Sequence, residues 1–385
     1  MITGTRADYG LLSPLMRLIA SAPDLDLRVV ATCMHLSERY GMTVRLIEED
    51  GFHVDARVEM LPENDTPLAV ARATGVGTTR IAGVLDDLEP DLVVILGDRF
   101  EALAAATAAF LMRIPVAHVH GGEVTLGALD DGLRHAITKM SLLHFASTEE
   151  YAQRIVQMGE QPANVFMVGA LGIDNVRSIA TLDRSTLEAE TGVPATANMI
   201  LATYHPVTLG EDGDSALEFA ELLAALEDTD RFVVFTRPNA DAGNAAIHRM
   251  LDEWVAARPT ARTAFSALGH QRYLSLASSA DLVIGNSSSG IIEIPALGTP
   301  VVDIGSRQAG RVAPVAVVHS EPDRESIRHA IEIAVSPAHR AAMSSSVNPY
   351  GDGHAAERIV QVLRESDISR AALRKGFHDL RNEHA

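Results

Sequence analysis

Short apolar runs rich in β-branched residues recur along the chain, separated by longer stretches whose apolar positions carry helical spacing. In the first half the runs are Met1–Thr3, Leu27–Thr32, Leu92–Leu96, Val116–Val119, Leu143–Ala146 and Val165–Val168. In the second half they are Met199–Thr203, Phe232–Phe235, Ala261–Phe265, Leu282–Ile284, Val301–Ile304 and Val315–Val318. Runs that are apolar throughout, not alternating, predict strands buried on both faces, and helices between successive strands make the sheets parallel. The alternation restarts after a Gly-containing segment, Gly169–Asp183, and a polar helix over Leu182–Thr191 that ends at Gly192. The pattern therefore predicts two successive α/β domains with a boundary near residue 175, and a further helix over His354–Glu365. A first strand of only Met1–Thr3 is short for a buried position, so the expectation is a start that lacks several residues of that strand.

Length agrees with two domains, since 385 residues at roughly 100 to 200 per domain give about that number. With 47% hydrophobic residues each domain can bury its own core. The charge narrows the partners. Fifty-one acidic against 32 basic residues leave a formal charge of −19, which repels nucleic-acid phosphates and anionic lipid surfaces. Neither nucleic acid nor membrane is an expected partner, whereas a small anionic substrate is compatible with a few local cations and helix N-termini. Cys33 is the only cysteine and cannot close an intramolecular disulfide; no CxxC pair or HExxH helix suggests zinc. The start carries no basic and apolar leader, and no apolar run reaches the roughly 18 residues of a membrane span, so the expected location is cytoplasmic.

Ligands of open α/β sheets bind at the carboxyl ends of strands, and the polar clusters of this chain sit there. Gly4-Thr-Arg6-Ala-Asp-Tyr-Gly10 follows the first strand and opens a helix over Leu11–Ile19; its backbone N–H groups and Arg6 suit a phosphate, although an ordinary strand-to-helix turn looks the same. Gly97-Asp98-Arg99-Phe-Glu101 follows another strand, where an Asp is often just a helix cap. His118-Val-His120-Gly-Gly-Glu123 follows the next, with Asp130, Asp131, Arg134 and His135 beyond it. Three ionisable clusters at neighbouring strand ends suit acid/base chemistry better than three unrelated solvated loops. In the second half, Tyr204-His205-Pro206 and Arg237-Pro-Asn239 end strands, and Gly285-Asn-Ser287-Ser288-Ser289-Gly290-Ile-Ile-Glu293 ends a third. A capping role accounts for one of those serines but not for three, so the segment reads as an anion cradle at a helix N-terminus, with Glu293 placed for ribose hydroxyls and Arg307 a further cation. It is neither a Walker A loop nor a GxGxxG fingerprint.

Taken together, GTRADYG, ILGDRFEALA, HVHGGEVTLGALDDGLRHAITK, YHPVT, RPNADAG, GNSSSGIIE and GTPVVDIGSRQAGR resemble, in order, the hydrolysing UDP-N-acetylglucosamine 2-epimerases of sialic and legionaminic acid pathways. The resemblance spans residues 4 to 311. It implies a GT-B-like α/β fold: two Rossmann-type domains with parallel sheets facing across a central cleft, residues 1–175 holding the acid/base groups, 176–365 binding UDP, and 366–385 a helix packing back towards the first domain. It implies that Arg6, Ser287 and Ser288 contact phosphate, Glu293 the ribose, the backbone near Leu268 the uracil and His205 the diphosphate. Arg99, Asn239 and Arg307 are further ligand contacts by the same match, Gly10, Ser289 and Gly290 belong to the matched binding segments, and Asp98 and Asp130 match acid/base residues. His120 stands where some members carry a glutamate, so either His120 or Glu123 takes that role here. Cys33 stands where members more often have glycine, with His35 beside it as a candidate sugar contact.

The implied reaction removes the C2 proton and expels UDP from C1, giving a glycal that is then hydrated with inverted C2 configuration. Substrates in view are UDP-GlcNAc and UDP-N,N′-diacetylbacillosamine; Arg6, His205 and the serine segment offset the charge on departing UDP, so no metal or other cofactor is expected. A homo-oligomer, dimer or tetramer, is the family expectation. The competing readings are a glycosyltransferase with the same fold, a non-hydrolysing epimerase, and a UDP-sugar sensor; the carboxylates near an anionic ligand speak against the last.

Overall fold

The computed structural model describes residues 1–64, 66–125, 129–205, 214–227, 229–237, 245–266, 268–369 and 371–380. They form two units. The first comprises Met1–Val124, Leu129–Asn175 and the chain from Tyr350 onward; the second is essentially Val176–Pro349.

Seven strands build the first unit: β1 (Ile2–Thr3), β2 (Val30–Thr32), β3 (Ala56–Val58), β4 (Val93–Leu96), β5 (Val116–Val119), β6 (Leu143–Ala146) and β7 (Val165–Met167). All pairings are parallel, in ladders β1-β2-β3 and β4-β5-β6-β7, with β1 packed beside β4. The order runs outward in both directions from β1 and β4, the switch point where helices on the two sides diverge and leave room for a ligand. The helix Arg6–Ser21 turns Leu12, Leu15, Met16 and Ile19 into the core. The alanine-rich helix Phe100–Leu111 lies close against the helix Pro67–Leu88, where a Cβ on Gly77 would come within 2.4 Å of the Met60 methyl. Small residues on facing helices let their backbones approach.

The second unit holds one parallel sheet of β8 (Met199–Thr203), β9 (Phe232–Thr236), β10 (Arg262–Phe265), β11 (Leu282–Gly285), β12 (Val301–Ile304) and β13 (Val317–Ser320), in the order β10-β9-β8-β11-β12-β13. Its switch point lies between β8 and β11. Both units are Rossmann-like, and no helix among the described residues is long and apolar enough to cross a membrane.

Several elements differ from the sequence reading. The segment after β1 is not an open glycine turn: a capping box between Thr5 and Asp8 starts the helix at Arg6, so Arg6 to Gly10 are already helical. Strand β3, with its mixed polar pattern, was not foreseen. The helix Ala355–Glu365, expected in a second domain of residues 176–365, belongs to the first unit. Both oxygens of the Asp174 carboxylate accept from its first amides, Ala355 N at 3.0 Å and Ala356 N at 2.8 Å. The described residues of 366–380 contain no helix. Lys375 instead pairs with buried Glu160, and His378 N donates to Gly159 O at 2.9 Å, so this tail spends its donors on the β6–β7 side of the sheet.

Candidate functional site

In the first unit the carboxyl ends of β1, β4, β5 and β6 each deliver polar groups. Gly97, at φ +81°, turns the chain out of β4, and its carbonyl accepts from His118 Nε2 at 2.8 Å. His118 is fully buried in β5 and burial lowers its pKa to about 3, so it is a neutral structural anchor for the β4 turn. Asp98, the next residue, accepts from Arg134 Nη2. Arg134 is buried on the helix Leu129–Met140; its Nη1 also donates to the Glu123 carbonyl at 2.8 Å and reaches Asp131 Oδ1 at 3.4 Å. One buried guanidinium thus ties the β4 turn, the β5 turn and the helix together.

The β5 turn carries the most constrained residue of the group. His120 adopts φ +65°, a left-handed conformation that costs a non-glycine residue of order 1 kcal/mol or more and persists where the surroundings over-determine it. Its Nδ1 lies 3.2 Å from Glu123 Oε1, and Ser147 Oγ, at the end of β6, donates to the same oxygen at 2.8 Å. His120, Glu123 and Ser147 are all buried. Behind β1, Arg99 Nε donates to Glu101 Oε1 at 2.6 Å, and Glu101 fills the space over Gly4, where a Cβ would lie 2.6 Å from Glu101 Cγ. Burial, then repulsion from Glu101, raises the Asp8 pKa to about 6 against the opposing pull of Arg99. Asp130 is exposed in the first turn of the helix Leu129–Met140, and Arg6 is exposed at the start of its own helix.

In the second unit the switch point is built on a close backbone contact. At Gly285, φ is +143° and a Cβ would fall 1.8 Å from the Thr203 carbonyl oxygen, so β8 and β11 end side by side only because this residue has no side chain. Asn286 follows, fully buried, and its carboxamide holds the peptide of His205. Arg307 Nη1 and Gln308 Nε2 donate to the Asn286 carbonyl at 2.8 and 2.9 Å. Burial, then the Arg307 charge, lowers the His205 pKa to about 4, leaving a neutral imidazole that can donate or accept beside an anion. Ser287 is the N-cap of the helix Ser288–Ile292 but makes no capping bond, which leaves its hydroxyl for another partner. Ser289 Oγ accepts from Tyr273 OH at 3.2 Å. A small pocket lined by Thr203, Tyr273, Gly285, Ser287, Gly290 and Asp303 opens at this point.

The sequence matches the family model of the UDP-N-acetylglucosamine 2-epimerases over residues 17–364. The chain belongs to the UDP-N-acetylglucosamine 2-epimerase family. Among curated relatives of this epimerase family, the GDP/UDP-N,N′-diacetylbacillosamine 2-epimerase (hydrolyzing) of Campylobacter jejuni is 38% identical over 322 residues, 83% of each chain. The UDP-N,N′-diacetylbacillosamine 2-epimerase (hydrolyzing) of Legionella pneumophila is 34% identical over 97% of each. The crystal structure of UDP-GlcNAc 2-epimerase from Neisseria meningitidis bound to UDP-GlcNAc superposes with a TM-score of 0.80 at 20% identity, covering 95% of this chain and 99% of that one. The two Rossmann-like units are thus those of the GT-B-like epimerase fold.

Not every epimerase-family position read from the sequence lies at these strand ends. His35 is fully buried, its ring bonded to Thr3 Oγ1 at 3.0 Å and Thr43 Oγ1 at 2.8 Å, and burial lowers its pKa to about 4; these bonds brace β1. Cys33, two residues earlier, has φ +52°, a left-handed conformation that glycine adopts more easily. Gly10 sits in the helix, with its carbonyl accepting from Asn175 Nδ2 at 2.7 Å. Leu268 is buried in the core of the second unit, just before the helix His270–Ser279, and Glu293 Oε1 lies 3.7 Å from His270 Nε2. Asn239 lies outside the described residues. The expected helix dipole behind the serines is weak: Ser288–Ile292 is a single turn, ended by Pro295 in the following 3₁₀ segment. Hydroxyls and local amides, not a long helix, make up this turn. The sequence reading named neither Asn286 nor Ser147 as a site residue. Each stood at a strand end, which was the available signal.

Proposed function

We propose that this epimerase-family chain is a hydrolysing UDP-sugar 2-epimerase whose substrate is UDP-N,N′-diacetylbacillosamine, which it converts with water into UDP and the free 2-epimeric, manno-configured sugar. The observation that carries the reading is the set of acid/base groups, the half-buried Asp98 and the buried His120–Glu123 pair, which Arg134 ties together at the carboxyl ends of β4 and β5. Two hydrolysing relatives named for diacetylbacillosamine, at 38% and 34% identity, support the choice of sugar.

In this reading the first unit moves protons and the second holds UDP. The C2–H beside an acetamido group is a poor acid, so its removal needs a base in hydrogen-bond reach and a leaving group departing in the same step or just after it. The C–H electron pair becomes the C1=C2 bond, and the C1–O pair leaves on the UDP oxygen. Ser287, Ser288, His205, Arg307 and Arg6 are assigned to the diphosphate, where neutral and cationic donors offset the developing charge. Glu293 is assigned to the ribose, and the backbone near Leu268 to the base. Asp98 and Asp130 are assigned to the second half-reaction, in which C2 of the glycal takes a proton from the face opposite to the one that lost it and water adds at C1. The product would feed nonulosonic acid synthesis of the sialic or legionaminic type in the cytoplasm, from a homo-oligomeric enzyme.

An NMR time course in D2O with UDP-diacetylbacillosamine and UDP-GlcNAc in separate samples tests this. Release of UDP with a free manno sugar deuterated at C2 is the expected outcome, faster with the former. Turnover of UDP-GlcNAc alone would overturn the choice of sugar, and UDP binding without turnover of either would overturn the reaction.

A further inference from the structure

The arrangement around His120 separates two residues that the sequence left interchangeable. Glu123 Oε1 already faces two donor positions, Ser147 Oγ at 2.8 Å and His120 Nδ1 at 3.2 Å. Arg134 Nη1 fixes the same residue through its carbonyl at 2.8 Å. His120 is held through its backbone, whose N–H donates to Phe145 O at 2.9 Å, and its backbone is left-handed. The other ring nitrogen, Nε2, is buried and has no hydrogen-bond partner. A carboxylate oxygen 3.2 Å from one nitrogen of an imidazole and an unpartnered buried nitrogen on the other side is the arrangement of an oriented base: a proton on Nδ1 faces an acceptor and leaves the lone pair on Nε2. Leaving Nε2 buried and unbonded is unfavourable, and a substrate proton would relieve it.

We propose that Ser147, Glu123 and His120 form a relay in which His120 Nε2 takes the substrate C2 proton, Glu123 is the positioning residue that sets the tautomer, and Ser147 in turn orients Glu123. This rests on the proposed epimerase reaction. In the step, the C2–H bond breaks, the proton goes to Nε2, the released pair forms C1=C2, and the C1–O pair departs with UDP. The imidazolium so formed is stabilised by the adjacent Glu123 carboxylate, which stays ionised, as in other carboxylate–histidine pairs.

The test follows C2–H exchange and UDP release for the full chain and for His120→Gln, Glu123→Gln and Ser147→Ala, with UDP affinity as the check on folding. His120→Gln is expected to lower kcat by roughly 10²–10⁴, the usual value of a general base. Glu123→Gln is expected to lower kcat by roughly 10²-fold with KM little changed, because the tautomer and the imidazolium lose their carboxylate, and Ser147→Ala by roughly tenfold, also in kcat. Wild-type exchange retained in His120→Gln but lost in Glu123→Gln would make Glu123 the base and overturn the relay while leaving the epimerase reading intact. Failure of the unmodified chain to turn over any UDP-sugar would instead overturn the epimerase reading itself. Nitrogen-15 NMR of the unmodified protein gives an answer that needs no variant to fold: the His120 ring should be protonated at Nδ1 and bare at Nε2, and the reverse tautomer would overturn the proposal.

Discussion

The carboxamide of Asn286 grips the peptide of His205 from both sides, with Nδ2 donating to the His205 carbonyl at 2.7 Å and Oδ1 accepting from the His205 N–H at 2.7 Å. The two residues are 81 positions apart, at the ends of the adjacent strands β11 and β8, so the clamp fixes the serine turn and the histidine turn as one surface. Asn286→Ala leaves both backbone groups of His205 without these partners. UDP affinity is expected to fall roughly tenfold, equivalent to about 1.4 kcal/mol. Titration calorimetry checks this, and an unchanged dissociation constant would remove His205 and Asn286 from the UDP surface.

Asp98 makes a complementary case in the first unit. Its carboxylate is held by Arg134, so Asp98→Asn keeps a hydrogen-bonding group of the same shape but removes the negative charge and the ability to shuttle a proton. Turnover of the UDP-sugar is expected to drop by roughly 10²–10⁴ while UDP binding is unchanged. Equal losses in both would show that Asp98 serves the fold or the nucleotide and not proton transfer.

How much of this was legible beforehand depends on the distance over which each feature is determined. The strands were readable because a strand buried on both faces must be apolar throughout; β3, at the edge of its ladder, is not, and passed unnoticed. The site clusters were readable because Rossmann-like sheets gather function at strand ends. What could not be read was which cluster members face each other. His35 looked like a ligand contact, yet Thr3 and Thr43 use both of its ring nitrogens. Arg134 was grouped with the ionisable residues beyond Glu123, and only the fold shows that it is buried against Asp98 and the Glu123 carbonyl. The helix expected in the tail is absent from its described residues, where Lys375 and His378 bond Glu160 and Gly159, over 200 residues away, a contact that local helix propensity does not reveal.

Gly285 is the residue on which the second switch point depends. Gly285→Ala would put a Cβ into the Thr203 carbonyl at 1.8 Å while requiring φ near +143°. Neither the backbone of β8 nor that of β11 can retreat without breaking the ladder between them. A loss of about 3 kcal/mol or more is expected, at the upper end of overpacking effects. Denaturant unfolding measures it, and a variant as stable as the parent would mean that the two strands end farther apart than described.

The buried histidines make stability depend on acid in a direction that can be worked out. His118 and His35 have folded pKa values near 3 and 4, both below the ordinary 6.5 that applies when unfolded. Above pH 6.5 both are neutral in either state and contribute no pH dependence. Between pH 6.5 and about 4 the unfolded chain binds protons that the folded chain refuses, so each histidine removes about 1.4 kcal/mol per pH unit as the pH falls. Asp8 works the other way: its folded pKa near 6 exceeds the unfolded 3.8, so between those values the folded state holds the extra proton and gains stability as the pH falls. His205, with a folded pKa near 4, adds to the loss and Asp303, raised to about 6, adds to the gain, so three histidines against two aspartates leave a net loss. The melting temperature should therefore fall from pH 6.5 towards 4, and Asp8→Asn, which keeps the helix cap but cannot titrate, should make the fall steeper. A flat profile would mean that water reaches the His118 and His35 rings in the folded protein, and a slope unchanged by Asp8→Asn would mean that Asp8 remains ionised over the whole window.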